Sequence, residues 1–265
     1  MILFHKYQGA GNDMILIDNR LNNYRLSKEN IITLCNRRLG VGADGLILLE
    51  EGGPEVDFEI KYYNSDGNEG SFCGNGTRCA VAFAHFLEII FETCDIRACD
   101  GVHSAIILNQ TGKQYTIALE MNDVTEIVKH PNGYFLDTGS PHFVSFIDAD
   151  ILELDVVYEG NIIRHNPIFP DGCNANFATS FQEGLFVRTY ERGVEDETLS
   201  CGTGITASAL AWALEHNYTN GKHILNLMTQ GGAFKVEFMK NNDSFYDIKL
   251  IGVAEHVFEG QFFNI

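Results

Sequence analysis

The strongest constraint on this chain is that it repeats itself. Cys73-Gly74-Asn75-Gly76-Thr77 is echoed 128 residues later by Cys201-Gly202-Thr203-Gly204-Ile205, and small and apolar residues follow both copies, AVAFAHFL from Ala80 and ASALAWAL from Ala207. A second echo pairs MILID, ending at Asp18, with VSFID, ending at Asp148, at an offset of 130. Two echoes at nearly one spacing indicate a duplicated unit, so a chain of 265 residues is expected to form two similar domains.

Each half reads mostly as strand. The first carries MILFHKY, MILID, GLILLE, FEIKYY, SAIILN and YTIALE; the second carries FVSFID, NANFATSF, GLFVRTY, HILNLM, FKVEFM and YDIKLI. Helices are few: Ser27 to about Arg38, with Ser27 as N-cap and Gly40 as the stop, and the segments after Cys73 and Cys201. The last two are apolar nearly all round and should be buried. Strands wrapped around one central helix in each half give an α+β class with two pseudo-symmetric domains. The join is expected near residues 120–131, at MNDVTEIVKHPNG with its Pro-Asn-Gly turn signal. This assigns 1–122 to a domain carrying Cys73 and 123–265 to one carrying Cys201, with 256–265 a candidate to pair back onto the first.

Charge narrows the function. With 36 acidic against 18 basic side chains and a net charge of -18, and no long Lys/Arg run, neither nucleic acid nor an anionic membrane is an expected partner. The N-terminal MILFHKYQGAGND lacks a signal-type core, so a soluble, cytoplasmic protein is expected. Seven cysteines are too few for a disulfide scaffold, and an odd number cannot all pair. Cys35, Cys79, Cys94, Cys99 and Cys173 read as small buried hydrophobes. Cys73 and Cys201 stand apart because each precedes a glycine-rich helix start.

Other motifs fail. Gly40-Val41-Gly42-Ala43-Asp44-Gly45 fits G-x-G-x-x-G, but a helical pattern precedes it and a strand follows, the reverse of a dinucleotide site. Walker, H-E-x-x-H, C-x-x-C and G-x-S-x-G patterns are absent, and the nine histidines show no paired metal spacing. No metal ligand is assigned.

What survives is a pair of thiols at the starts of two equivalent helices. A free thiol has a pKa near about 8.5, and a helix N-terminus lowers it by stabilising the anion. The amides of the first turn suit a carboxylate, and the glycines allow close approach. Inverting an α-carbon requires a base on one face and an acid on the other, and a thiolate and a thiol supply both without a cofactor. Charge that moves onto the carboxylate as the proton leaves meets the same amides. The plainer alternative is that both CGxG segments are tight turns ahead of core helices.

KYQGAGNDMILID, GVGADGLILLE, NSDGNEGSFCGNGTRC, DTGSPHF, NANF and YERGVEDETLSCGTG, in this order over nearly the whole chain, resemble the signature blocks of the diaminopimelate epimerase family. The resemblance implies that family's fold, two mirrored α/β domains with the site in the cleft between them, and usually a homodimer. It implies a cofactor-independent, two-base interconversion of LL- and meso-2,6-diaminoheptanedioate, the step that supplies meso-diaminopimelate for lysine and often for peptidoglycan. Carried over by position, Cys73 and Cys201 are the catalytic acid/bases, and Gly74, Asn75, Gly202 and Thr203 hold the reacting carboxylate through backbone N–H groups. Asn12, Asn64, Asn174, Glu191 and Arg192 match the other substrate contacts, and His142 and Glu191 match residues that tune the thiols. An Arg fork suits a carboxylate, and Glu or Asn oxygens suit an ammonium.

The chain departs from the family pattern in three places. Ser140 stands where many members have Asn, Gly45 stands where some carry a substrate-touching Gln, and one additional residue lies between Arg192 and Cys201, expected to bulge outward. Two alternatives remain beside the main reading: another two-thiol racemase, of the proline or hydroxyproline type, and a thiol-redox module in which Cys73 and Cys201 form a disulfide.

Overall fold

The computed structural model describes residues 1–148, 150–182 and 184–263. It divides into two compact units, residues 1–119 with 252–265 and residues 120–251; the last two residues of the 256–265 segment lie outside those described.

The first unit runs β1 (Ile2–Gly9), β2 (Asn12–Asp18), α1 (Lys28–Cys35), β3 (Gly45–Glu51), β4 (Phe58–Asn64), α2 (Gly74–Phe86), β5 (Thr93–Ala98), β6 (Gly101–Thr111) and β7 (Gln114–Glu120). The second begins with β8 (Ile127–His130), then runs β9 (Gly133–Asp137), β10 (Pro141–Phe146), α3 (Val156–Arg164), β11 (Asn174–Phe181), β12 (Gly184–Glu191), β13 (Asp196–Thr198), α4 (Gly202–Glu215), β14 (Gly221–Thr229), β15 (Gly232–Asn241) and β16 (Ser244–Phe262).

The duplication read from a few residues extends to a run of six strand pairings in each half. From β1 to β7 neighbouring strands pair antiparallel, parallel, antiparallel, parallel, antiparallel and antiparallel. From β9 through β10, β11, β12, β14 and β15 to β16 the order of senses is the same. Both parallel steps are crossovers through a helix: α1 and α3 serve the first, α2 and α4 the second.

Hydrophobic burial explains the layering. MILI of β2 and LILL of β3 are apolar on both faces and buried throughout. One face packs on α1, joining Ile15, Ile17, Leu46 and Leu48 to Ile31 and Leu34. The other packs on α2, whose residues 74–84 are all buried. In the second unit α4 is buried from Gly202 to Ala211, while α3 covers Ala175, Phe177 and Tyr190. β16 begins in the second unit and ends in the first, where it pairs with both β7 and β1. In the first unit this closes β1–β7 and the end of β16 into a ring.

The helix expectations need two corrections. α1 starts after the Ser27 cap, closed by a capping box with Asn30, but ends at Cys35 rather than near Arg38. The Asn36 side chain accepts from the Arg38 and Leu39 amides and turns the chain; Gly40 is not the terminator. α3 was not expected at all; Asp155 caps it by accepting from the Tyr158 amide. Among the described residues no helix is long and apolar enough to cross a membrane.

Candidate active site

Cys73 and Cys201 are the N-caps of the two central helices, with nearly superposable backbone angles, φ -122°, ψ 102° and φ -124°, ψ 113°. Cys73 is half-buried and Cys201 buried, and neither is in a disulfide; Cys99, expected to be a buried hydrophobe, is exposed. The first-turn amides of Gly74 and Asn75, and of Gly202 and Thr203, sit where the helix supplies no i−4 carbonyl.

In the first unit the Cys73 Sγ accepts from the Gly76 amide at 3.4 Å. Arg78, fully buried in the same helix, donates to the Asn75 Oδ1 at 2.6 Å and to the Gly74 carbonyl at 3.2 Å, so its guanidinium braces the turn under the cysteine. Burial lowers its pKa to about 10, and the nearby Cys79 and Cys73 act against that shift; it remains a cation at neutral pH. The β1–β2 turn, with Ala10 and Gly11 both at positive φ, reaches the same place, since a Cβ on Gly9 would stand 3.1 Å from the Asn75 carbonyl oxygen. Asn12 follows that turn, and its Oδ1 is buried without a hydrogen-bond partner. Asn64 ends β4, exposed, opposite Gly45. Cys73 and Thr77 also line a cavity of 180 Å³ with Tyr62, Glu69 and Phe72.

Gly45 has a steric reason. A Cβ there would come within 2.5 Å of the Tyr62 ring, and one on Gly70 within 2.4 Å of the same ring. Tyr62 fills the space that a longer side chain at position 45 would need.

In the second unit β10, β11 and β12 carry a hydrogen-bonded chain to Cys201. Asn176 accepts from the Thr189 hydroxyl at 3.0 Å and donates to the Phe143 carbonyl at 3.1 Å, which fixes its amide. Its Nδ2 therefore donates to His142 Nδ1 at 3.0 Å. The ring proton then lies on Nε2, 2.8 Å from the Thr203 Oγ1, and the Thr203 hydroxyl stands 3.4 Å from the Cys201 Sγ. Burial pushes His142 down to about 3, with smaller effects from Asn176 and Arg192, so the ring is neutral. Gly204 makes room for this chain: a Cβ there would meet the Asn176 Oδ1 at 2.2 Å. Thr138 donates to the Thr203 carbonyl at 2.8 Å and holds the same turn.

Asn174 is committed to its own unit. Its Nδ2 donates to Ser140 Oγ at 3.0 Å and to the Pro141 carbonyl at 3.2 Å, and its Oδ1 accepts from the Arg192 amide at 2.8 Å. Ser140 thus contacts Asn174 directly. The Arg192 guanidinium reaches the Asp171 carbonyl at 3.2 Å, and the Glu191 Oε2 accepts from the Thr198 hydroxyl at 3.1 Å. In the turn from β12 to β13, Glu191 pairs with Asp196. Residues 193–195 are exposed, Gly193 and Glu195 taking positive φ.

Structure thus groups Cys73, Gly74, Asn75 and Asn12 in one unit and Cys201, Gly202, Thr203, His142, Asn174, Glu191 and Arg192 in the other. Sequence reading missed Arg78, Asn176 and Thr138. An arginine inside an otherwise apolar helix and two asparagines at i, i+2 on one strand face were the available signals.

Residues 4–125 and 134–257 match the family model described as diaminopimelate epimerase. A relative named diaminopimelate epimerase from Flavobacterium psychrophilum is 48% identical over 258 residues, covering 96% of this chain and 98% of its own. Another of that name, from Chlorobaculum tepidum, is 41% identical over 95% of this chain and 98% of its own. A crystal structure of the Bacillus anthracis phenazine biosynthesis protein of the PhzF family matches with a TM-score of 0.75 at 13% identity, covering 99% of both chains; at that identity the likeness speaks for the fold alone.

Proposed function

The chain belongs to the diaminopimelate epimerase family, and we propose that it interconverts LL- and meso-2,6-diaminoheptanedioate with Cys73 and Cys201 as the two acid/bases. The observation that carries this reading is the equivalence of the two cysteines as N-caps of duplicated, buried helices. One sulfur, as thiolate, removes the α-proton; the other, as thiol, returns a proton to the opposite face, and the roles exchange in reverse. Atoms balance without a cofactor.

The surroundings suit these roles. The Gly76 amide and the Arg78 cation favour negative charge at Cys73, and the Thr203 hydroxyl, aimed by His142, does so at Cys201. First-turn amides of Gly74, Asn75, Gly202 and Thr203 would bind the reacting carboxylate as its charge grows. The buried, unpartnered Oδ1 of Asn12 suits an ammonium donor, and Arg192 suits the distal carboxylate. Asn64 and Glu191 are assigned to the same substrate. Asn174 acts by holding the Arg192 backbone. Cytoplasmic location and a homodimer complete the reading; sedimentation equilibrium at two concentrations tests the dimer.

In deuterated water the product should gain solvent deuterium at the inverted α-carbon, and Cys73→Ser and Cys201→Ser should each lose at least about 100-fold in kcat. Arg192→Ala should strongly reduce kcat/KM; little change would favour a proline-type substrate, which has no distal amino-acid end. Activity on oxidation and its loss on reduction would favour the redox reading.

A further inference from the structure

We propose that His5, His256 and Glu259 form a binding site for one divalent transition-metal ion, with Zn²⁺ as the class it fits, clipping the first strand to the last. The site lies in the first unit and takes no part in the proposed chemistry at Cys73.

Strand register creates the cluster. In the antiparallel β1–β16 pair His5 stands opposite Glu259 and Lys6 opposite Phe258, but Tyr7 stands opposite His256, because the register shifts between Lys6 and Tyr7. Residues 256 and 259, three apart, would face opposite sides of a regular strand. The β-bulge places both on the face of His5 and Tyr7, and bulges are a recurrent way of re-aiming a side chain. Tyr7 holds the His256 ring from one side, stacked at 4.8 Å and 20°, and Phe83 and Phe86, in the last turn of α2, contact His5 at 4.8 and 5.2 Å. The C-terminal end of a helix favours a cation.

The donor set is otherwise hard to explain. His5 and His256 are 5% and 6% exposed; His256 Nε2 is buried without a hydrogen-bond partner, and His5 Nδ1, also without one, faces the Glu259 carboxylate. An orphaned ring nitrogen such as His256 Nε2 is costly unless something supplies an electron-pair acceptor. One ligand atom from each of the three residues lies within 4.8 Å of the others. The His5 Nδ1 to Glu259 Oε2 separation is 3.3 Å, which matches the roughly 3.3–3.4 Å edge of a tetrahedron with bonds of about 2.0–2.1 Å. Drawing in the widest pair to that edge takes a shift of about 1.4 Å, within reach of a side-chain rotation. Burial lowers the pKa of both rings, keeping them as neutral ligands. Two imidazoles and a carboxylate leave one coordination position for water.

The test is zinc binding by the full chain carrying Cys73→Ala, Cys99→Ala and Cys201→Ala, so that neither the helix thiols nor the exposed Cys99 competes, followed by calorimetry with ZnCl2 alone and metal analysis after dialysis. One Zn²⁺ per chain is expected, with affinity reduced at least about tenfold by His256→Gln and by Glu259→Gln. Zinc should raise the melting temperature of the parent and not of these variants, and Co²⁺ should give visible bands of nitrogen and oxygen ligation without a thiolate charge-transfer band. Glu259 is exposed, so its variant tests the site even where His256→Gln does not fold. No saturable uptake, thiolate ligation of Co²⁺, or unchanged affinity in Glu259→Gln would overturn the proposal.

Discussion

His142 donates from Nε2 to the Thr203 hydroxyl at 2.8 Å, and that hydroxyl faces the Cys201 sulfur at 3.4 Å. A residue assigned from sequence to bind substrate through its backbone thus also presents its side chain to a sulfur. Thr203→Val removes that donor, and a hydrogen bond to a charged group is worth about 1.5–3 kcal/mol. The Cys201 thiol should therefore titrate roughly one to two units higher in the variant. The pH dependence of its alkylation, followed by mass spectrometry, checks this. Thr203→Ser should retain the parental profile.

Asn176 decides which ring nitrogen of His142 carries the proton. Asn176→Asp replaces the donor with an acceptor, so the proton should move to Nδ1 and Nε2 should accept from Thr203, turning the hydroxyl away from the sulfur. Epimerase activity should fall to about the level of Thr203→Val, and the double variant should be no worse than either single one. Additive losses would separate Asn176 from this chain.

Gly45 and Tyr62 form a steric pair. Gly45→Ala should destabilise the first unit by about 1–3 kcal/mol in urea unfolding, since the added methyl meets a ring that Gly70 confines from its other side. The combination with Tyr62→Ala should cost less than the sum of the two changes.

Acid should destabilise the protein through His142. Its folded pKa, about 3, lies below the unfolded value of 6.5, so its contribution is complete above pH 6.5 and is lost as pH falls toward 3. The slope is about 1.4 kcal/mol per pH unit within that window. Burial works against Asp13 ionisation, but hydrogen bonds from Arg37 and Lys6 hold the carboxyl well below its ordinary range, so its contribution is lost at still lower pH. His142→Gln should flatten the upper part of the stability profile while leaving the lower part in place.

The repeat was legible because the two CGxG turns sit at the functional core of each unit, where glycine is demanded by close approach. Gly204 has Asn176 against it, and Gly76 would place a Cβ 3.0 Å from Ile47. The strands of β2, β3, β11 and β12 were legible from their apolar runs. α3 was not, because VVYEGNIIR is short, rich in the β-branched Val156, Val157, Ile162 and Ile163 and interrupted by Gly160, so it carries no clear helical signature. β5 was missed for a similar reason: TCDIRA alternates buried and exposed residues with only two fully buried. The roles of Arg78 and Asn176 depend on which backbone carbonyls and side chains the fold brings to them, information that local spacing does not hold.

The most direct test of the two-thiol account is the isotopic content of both stereoisomers early in a reaction begun from the LL isomer in deuterated water. The account predicts meso product carrying one solvent deuterium at the inverted carbon while the remaining LL substrate still carries hydrogen there, with Cys201→Ala and Cys73→Ala each unable to complete the inversion. Transfer of the substrate's own hydrogen into the product, or complete inversion by either variant, would contradict it.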